Sequence, residues 1–364
     1  MRAVIKASAE AGCRYVEDWP ERELRPDEVR IEVQSASVCG TDAEMFDYTP
    51  VAEALGLKVP VVLGHEMAGT VVEVGGANEG GPSLGAAVAV ESHMGCGRCF
   101  FCRSGNAHNC ESMDLLGITR DGAFAERVIV PARFCFLLPP EIGIETGALL
   151  EPAGSAMHAV LRSGVDLADA CVLVTGAGPV GLVLADIARA KGARQVVISE
   201  PNQRRRAAAQ ARGIEAIAPE QDPMEAADSI ARTRGGFDVG FECSGASPAF
   251  TTQVARVRTE GTVMAVGLAG RSVDLDITGT LIRRGIHLRG SFGRSIWHTW
   301  DQLSALVAAG RLDLAGLVSH RLPLDALPQA LELMRSEAGK VVLSPNLPSS
   351  TAARTSAAAS ATAG

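Results

Sequence analysis

The apolar run Val172-Leu173-Val174-Thr175 leads without a break into Gly176-Ala177-Gly178-Pro179-Val180-Gly181, and a helical pattern opens at once. A G-x-G-x-x-G run between a strand and a helix confines the chain around it to a βαβ unit built to hold a dinucleotide. Gly176 permits the tight turn, Gly178 lets the backbone approach a pyrophosphate, and Gly181 allows close helix-to-strand packing. The helix N-terminus offers unpaired N–H groups and the positive end of its dipole to the phosphates. Glu200 closes the next strand near the ~20-residue offset at which a carboxylate accepts the ribose hydroxyls. A carboxylate there repels a 2′-phosphate, which favours NAD over NADP. The basic run Arg204-Arg205-Arg206 just beyond it reads either as a phosphate contact or as a solvated helical turn.

The same rhythm continues on both sides of the glycines. Strands are predicted over 171–175, 195–200, 237–243, 261–266 and 286–291, with helical stretches between them, which is the pattern of a doubly wound parallel sheet. Earlier in the chain the pattern is short strands and turns: Val29-Arg30-Ile31-Glu32-Val33 alternates with period two, and Gly69-Thr70-Val71-Val72-Glu73-Val74-Gly75 is β-branched. At 364 residues the chain exceeds what one core ordinarily supports. The fold class is therefore α/β, with a β-rich domain over 1–152 and 291–347 and a nucleotide-type domain over 153–290 inserted within it. A helix over 297–309 and the strand Lys340-Val341-Val342-Leu343 are expected to return to the first domain. Residues 348–364 are rich in Ser, Thr and Ala with no hydrophobic period, and are expected to form a disordered tail.

Cys96, Cys99, Cys102 and Cys110 are spaced to close tetrahedrally around one zinc, within a lobe of about 93–112. Four protein thiolates leave no open position, so this metal is expected to be structural, and the glycine-rich loop needs it to hold its shape. The other five cysteines are scattered and the opening Met1-Arg2-Ala3-Val4-Ile5 reads as a strand rather than a targeting segment, which suggests the reducing cytoplasm. A hydrophobic fraction of 47% and a net charge of -8 without a basic block argue against a nucleic-acid partner. No apolar stretch approaches the ~20 residues of a membrane span.

A catalytic metal would need separate ligands and an open position. Cys39 in Cys39-Gly40-Thr41-Asp42, His65 and Glu66 in Gly64-His65-Glu66, and Glu151 in Glu151-Pro152 stand in turn-rich contexts. Taken singly, each has an ordinary structural explanation. In order along the chain with the four-cysteine lobe and the glycine run, they make residues 1–344 resemble the zinc-dependent medium-chain alcohol dehydrogenase family. Gly122-Ala123-Phe124-Ala125-Glu126, Phe237-Asp238-Val239-Gly240-Phe241-Glu242, Gly293-Arg294 leading to Thr299-Trp300, Ser319-His320-Arg321 and Gly339-Lys340-Val341-Val342-Leu343-Ser344 are similar to its L-threonine 3-dehydrogenase branch.

The resemblance implies a GroES-like catalytic domain and two zinc ions per subunit. The catalytic zinc would take Cys39, His65 and Glu66, with Glu151 nearby and able to exchange with Glu66 or with water. It further implies nicotinamide contacts from Val180, Glu200, Arg205, Val266, Gly267, Leu268, Ser291 and Phe292. It also implies a small-molecule alcohol substrate and a homodimer or homotetramer. In such a site Thr41 would take the hydroxyl proton, with Asp42 orienting the turn or the ligands. Where the threonine enzymes have a histidine three residues after the relay threonine, this chain has Glu44, and where they usually carry asparagine it has Ser155. Glu44 either replaces that histidine as an acid-base group or marks a pocket for a sugar, polyol, amino-sugar or aminocyclitol. His93 reads as a substrate contact or a loop residue. The alternatives from other classes are a catalytically silent nucleotide-binding scaffold, which need not keep the metal ligands, and a quinone reductase, which generally lacks the cysteine lobe.

Overall fold

The computed structural model describes residues 1–336 and 339–349. Of the predicted tail, only Pro348 and Ser349 fall within them, and the Ser349 hydroxyl donates to Asp325 Oδ2 at 2.6 Å; the rest lies outside the described residues. The chain forms two compact units, one made of Met1–Glu151, Val318–Ser336 and the chain from Lys340, the other of Pro152–Leu317 with Gly339.

The first unit is built on a mostly antiparallel sheet whose strands run in the order Cys135–Leu137, Ala87–Val90, Glu66–Val74, Glu28–Ser37, Lys340–Ser344 and Val318–Pro323, with Arg127–Pro131 also pairing with Glu28–Ser37. Period-two alternation in Glu28–Ser37 buries Val29, Ile31 and Val33 completely, as expected for a strand with one face on the core. The last two strands are the exception to the antiparallel pattern, since Val318–Pro323 runs parallel to Lys340–Ser344. A short hairpin, His93–Met94 with Asp114–Leu115, brackets the cysteine lobe. The turn after Glu28–Ser37 becomes the helix Gly40–Asp47 with Cys39 at its N-cap.

The second unit holds a six-stranded sheet that is parallel throughout, in the order Glu215–Ile217, Gln195–Ser199, Cys171–Thr175, Phe237–Glu242, Val257–Ala265, His287–Gly290. Numbered along the chain this is 3-2-1-4-5-6, the doubly wound order with its crevice beside the first strand. The predicted strands all appear, the first with the predicted bounds. The predicted helix is His298–Ala308, but it packs in this second unit rather than in the first. Its Trp300 is buried against Gly154, where an added Cβ would stand 2.7 Å from the indole nitrogen, and its Gln302 accepts from Lys191 Nζ at 3.0 Å. The chain leaves this unit at Val318, not at 291.

Candidate functional site

The first unit brings Cys39, His65 and Glu66 together. Their ligand atoms all lie within 4.8 Å of one another. Cys39 is fixed by its own helix turn, because its backbone N–H donates to Asp42 Oδ2 at 2.8 Å. The other oxygen of Asp42 stands 3.3 Å from His65 Nδ1, so one buried carboxylate orients both residues. Burial opposes a charge on the imidazole, yet Asp42 and the Cys39 sulfur outweigh it and raise the His65 pKa well above the usual value.

Glu66 lies at the start of its strand with no exposure at all. Its Oε2 accepts from Lys340 Nζ at 2.5 Å and from the Ser37 hydroxyl, while its Oε1 is buried with no hydrogen-bond partner. A buried carboxylate oxygen without a partner is costly. A cation seated among the Cys39 sulfur, the His65 nitrogen and this oxygen would satisfy it, and a sulfur, nitrogen and oxygen donor set suits zinc. Lys340 also donates to Val38 O at 3.0 Å. Burial lowers the lysine pKa, but Glu66 and Cys39 outweigh it and the net shift is upward.

Sequence reasoning missed Lys340 as part of this centre. It stands at the head of an apolar strand, 274 residues from Glu66, and the one available signal is a lysine before Val-Val-Leu.

Thr41 Oγ1 is 3.8 Å from Cys39 Sγ. Glu44 stands one turn further along the same helix and accepts a hydrogen bond from the Thr49 hydroxyl. Glu151 is not one of the three residues whose ligand atoms lie within 4.8 Å of one another, but its charge helps raise the Lys340 pKa; its Oε1 accepts from Ser92 Oγ at 2.5 Å. His93 is next in line, with Nδ1 3.2 Å from the same hydroxyl and its backbone N–H donating to Glu91 Oε1 at 2.8 Å.

The second metal-type cluster is the set Cys96, Cys99, Cys102 and Cys110, whose sulfurs also fall within 4.8 Å of one another. Cys99 Sγ and Cys110 Sγ are 3.9 Å apart, far beyond a disulfide bond. Zn–S bonds of ~2.3 Å in a tetrahedron put sulfurs about 3.8 Å apart, so the separation fits a shared ion. Hydrogen bonds from the backbone N–H groups of Arg98 and Cys99 bring the Cys96 thiol down to about 6, while burial pushes Cys102 up to about 12.

In the second unit, Gly176 has φ +94°, and a Cβ on Gly181 would stand 2.0 Å from Gly176 O. Neither position admits a side chain. Gly178 is the N-cap of the helix Pro179–Ala190, with open space where its Cβ would be. Glu200 is buried; its Oε2 accepts from Ala177 N at 2.6 Å and its Oε1 from Asn202 N at 2.9 Å, so the carboxylate faces the glycine turn. Arg206 Nη1 donates to the carbonyls of Glu200 and Pro201 at 2.8 Å each, and the backbone N–H groups of Arg204 and Arg205 bond to the Asn202 side chain. Val266 and Gly267 N–H groups both donate to Glu242 O, and a Cβ on Gly267 would stand 2.3 Å from Gly245 N. Ser291 N–H donates to Ala265 O, Val180 is half-buried, and Leu268 and Phe292 are exposed.

Residues 25–140 match the alcohol dehydrogenase GroES-like domain, and residues 179–309 match the zinc-binding dehydrogenase domain. An L-threonine 3-dehydrogenase of Mesorhizobium japonicum is 35% identical over 345 residues, covering 94% of this chain and 98% of that protein. The chain belongs to the zinc-dependent medium-chain alcohol dehydrogenases. Its fold agrees with that of a zinc-binding dehydrogenase from Sinorhizobium meliloti solved with NADP, at 30% identity and TM-score 0.82 over 94% of this chain and 99% of the other. It also agrees with galactitol-1-phosphate dehydrogenase from Escherichia coli, at 26% identity and TM-score 0.84 over 95% and 100%. The first unit is thus GroES-like and the second Rossmann-like, as the sequence motifs implied. This medium-chain dehydrogenase is an alcohol oxidoreductase of the threonine dehydrogenase branch, and zinc, a nicotinamide cofactor and a small-molecule alcohol substrate come with the family. No helix among its described residues is long and apolar enough to cross a membrane.

Proposed function

We propose that the chain oxidises a secondary alcohol flanked by polar groups, using zinc and NAD, with L-threonine the first substrate to test. The observation that carries this reading is the meeting of half-buried Cys39 with buried His65 and Glu66 in one cluster, where Glu66 Oε1 has no hydrogen-bond partner. These three residues hold the catalytic zinc, with Glu151 in reserve on Ser92, and the four cysteines of the lobe hold a structural one. Zinc held there would supply Lewis-acid activation of an alcohol hydroxyl, and a nicotinamide in the second unit would supply the hydride acceptor. Thr41 takes the hydroxyl proton, and Asp42 keeps Cys39 and His65 in place. The first unit carries this chemistry and the second the cofactor. Gly176, Gly178 and Gly181 with the helix N-terminus receive the pyrophosphate, and Val180, Arg205, Val266, Gly267, Leu268, Ser291 and Phe292 line the nicotinamide side.

The preference for NAD over NADP is supported by the Glu200 carboxylate, which faces the glycine turn and would repel a 2′-phosphate, and by Arg206, which is held on main-chain carbonyls. A sugar, polyol or aminocyclitol substrate is the second reading, supported by the departure at position 44, three residues after Thr41, where Glu44 stands in place of the histidine of the threonine enzymes. A homodimer or homotetramer is supported by the edge strand His287–Gly290, whose four residues are all exposed. Formation of NADH from NAD by the zinc-loaded chain, across L-threonine, polyols, amino sugars and aminocyclitols, tests the reading. Turnover of any of these supports it, and failure with all of them overturns it.

A further inference from the structure

The carboxylates close along the chain to Cys39, His65 and His93 differ in how they are held. Asp42 accepts from the Cys39 N–H, Glu66 from Lys340, and Glu91 from the His93 N–H. Glu44 is bonded by the neutral Thr49 hydroxyl, and among the described residues no cation pairs with it. A half-buried carboxylate with only a hydroxyl for company attracts a cation more strongly than an exposed one, because water screens it less. The helix Gly40–Asp47 places Glu44 three residues after Thr41, on the same face, and Thr41 Oγ1 is 3.8 Å from Cys39 Sγ. Side chains one turn apart, with about 5–6 Å between their Cβ atoms, are spaced to reach the two ends of a vicinal amino alcohol.

We propose that Glu44 is a specificity-determining residue that selects substrates carrying a protonated amine beside the reacting hydroxyl. The inference rests on the dehydrogenase reading of the site and deepens it: among the candidate substrates of both readings, those with an amine beside the hydroxyl are preferred and neutral polyols are poor. Thr41 meets the hydroxyl and Glu44 the ammonium group.

The test compares 1-amino-2-propanol with 1,2-propanediol, which share a secondary alcohol and differ in the amine. Two ratios are read on the zinc-loaded chain: kcat/KM with NAD, and the dissociation constants measured by calorimetry with NADH bound. Wild type favours the amine, and Glu44→Gln lowers that preference about 10- to 100-fold, the worth of a charge-assisted hydrogen bond. Thr49→Val keeps the carboxylate and changes the preference less than about threefold, far short of the loss in Glu44→Gln. An unchanged ratio in Glu44→Gln overturns the proposal, as does an equal loss in Thr49→Val, which would make Glu44 a strut between two helices. The calorimetric ratio stands without turnover, so failure to oxidise any alcohol overturns the dehydrogenase reading and leaves this one to be judged on binding.

Discussion

Lys340 Nζ lies 2.5 Å from Glu66 Oε2, and both side chains are buried. The pair leaves the second oxygen of Glu66 with no hydrogen-bond partner, on a carboxylate that has an oxygen within 4.8 Å of the Cys39 sulfur and a His65 nitrogen. Lys340 therefore balances half of a buried carboxylate whose other half is ready for a metal.

Lys340→Met removes the balancing charge without opening a large cavity. Breaking one side of a buried ion pair costs about 3–5 kcal/mol. The zinc-free variant is expected to lose stability on that scale in urea unfolding, and saturating zinc is expected to recover part of it. A loss that zinc does not reduce would separate the pair from the metal cluster.

Thr41 tests the proton path. Thr41→Val keeps the shape and removes the hydroxyl, and loss of a general acid-base group slows turnover about 10²- to 10⁴-fold. Zinc content and NADH binding are expected to stay at wild-type levels. Activity within a few-fold of wild type would assign the proton to another group.

Glu200 tests the cofactor preference. Glu200→Ala removes the repulsion against a 2′-phosphate and the acceptor for the Ala177 N–H. The kcat/KM for NAD is expected to fall about 10- to 100-fold, while that for NADP falls less or rises. An equal change for both cofactors would take Glu200 out of the ribose site.

Glu28 gives the pH dependence. Burial pushes its carboxyl up, but Arg22, the Arg25 N–H and Arg120 outweigh burial and hold it at about 2, against 4.5 for a free glutamate. A depressed folded value means that Glu28 stabilises the fold above pH 4.5 and that this support disappears as pH falls toward 2. Glu28→Gln should lower stability at neutral pH and flatten the stability curve across that window. Parallel curves for the two proteins would refute the assignment.

Much of this molecule was legible because its signals are local. Cys171–Thr175, the glycine turn and Glu200 lie within about thirty residues, and the two spacings Cys96–Cys99 and Cys99–Cys102 fit one metal directly. Lys340 was not legible as a partner of Glu66, since nothing in a sequence couples positions 274 apart without the sheet that joins them. The helix His298–Ala308 was predicted, but apolar periodicity says only that a face is buried; the fit of Trp300 against Gly154 decided which unit it joins. Glu151 was singled out by its place before Pro152, while Ser92, which holds it, carried no motif.

The most direct test of the central claim is metal content and NADH formation measured together on the same preparation. The account predicts two zinc ions per chain, one lost in Cys39→Ser together with turnover and the other lost in Cys110→Ser. A chain that turns over an alcohol with NAD at full rate after Cys39→Ser, or that binds no zinc at the Cys39, His65 and Glu66 cluster, would contradict it.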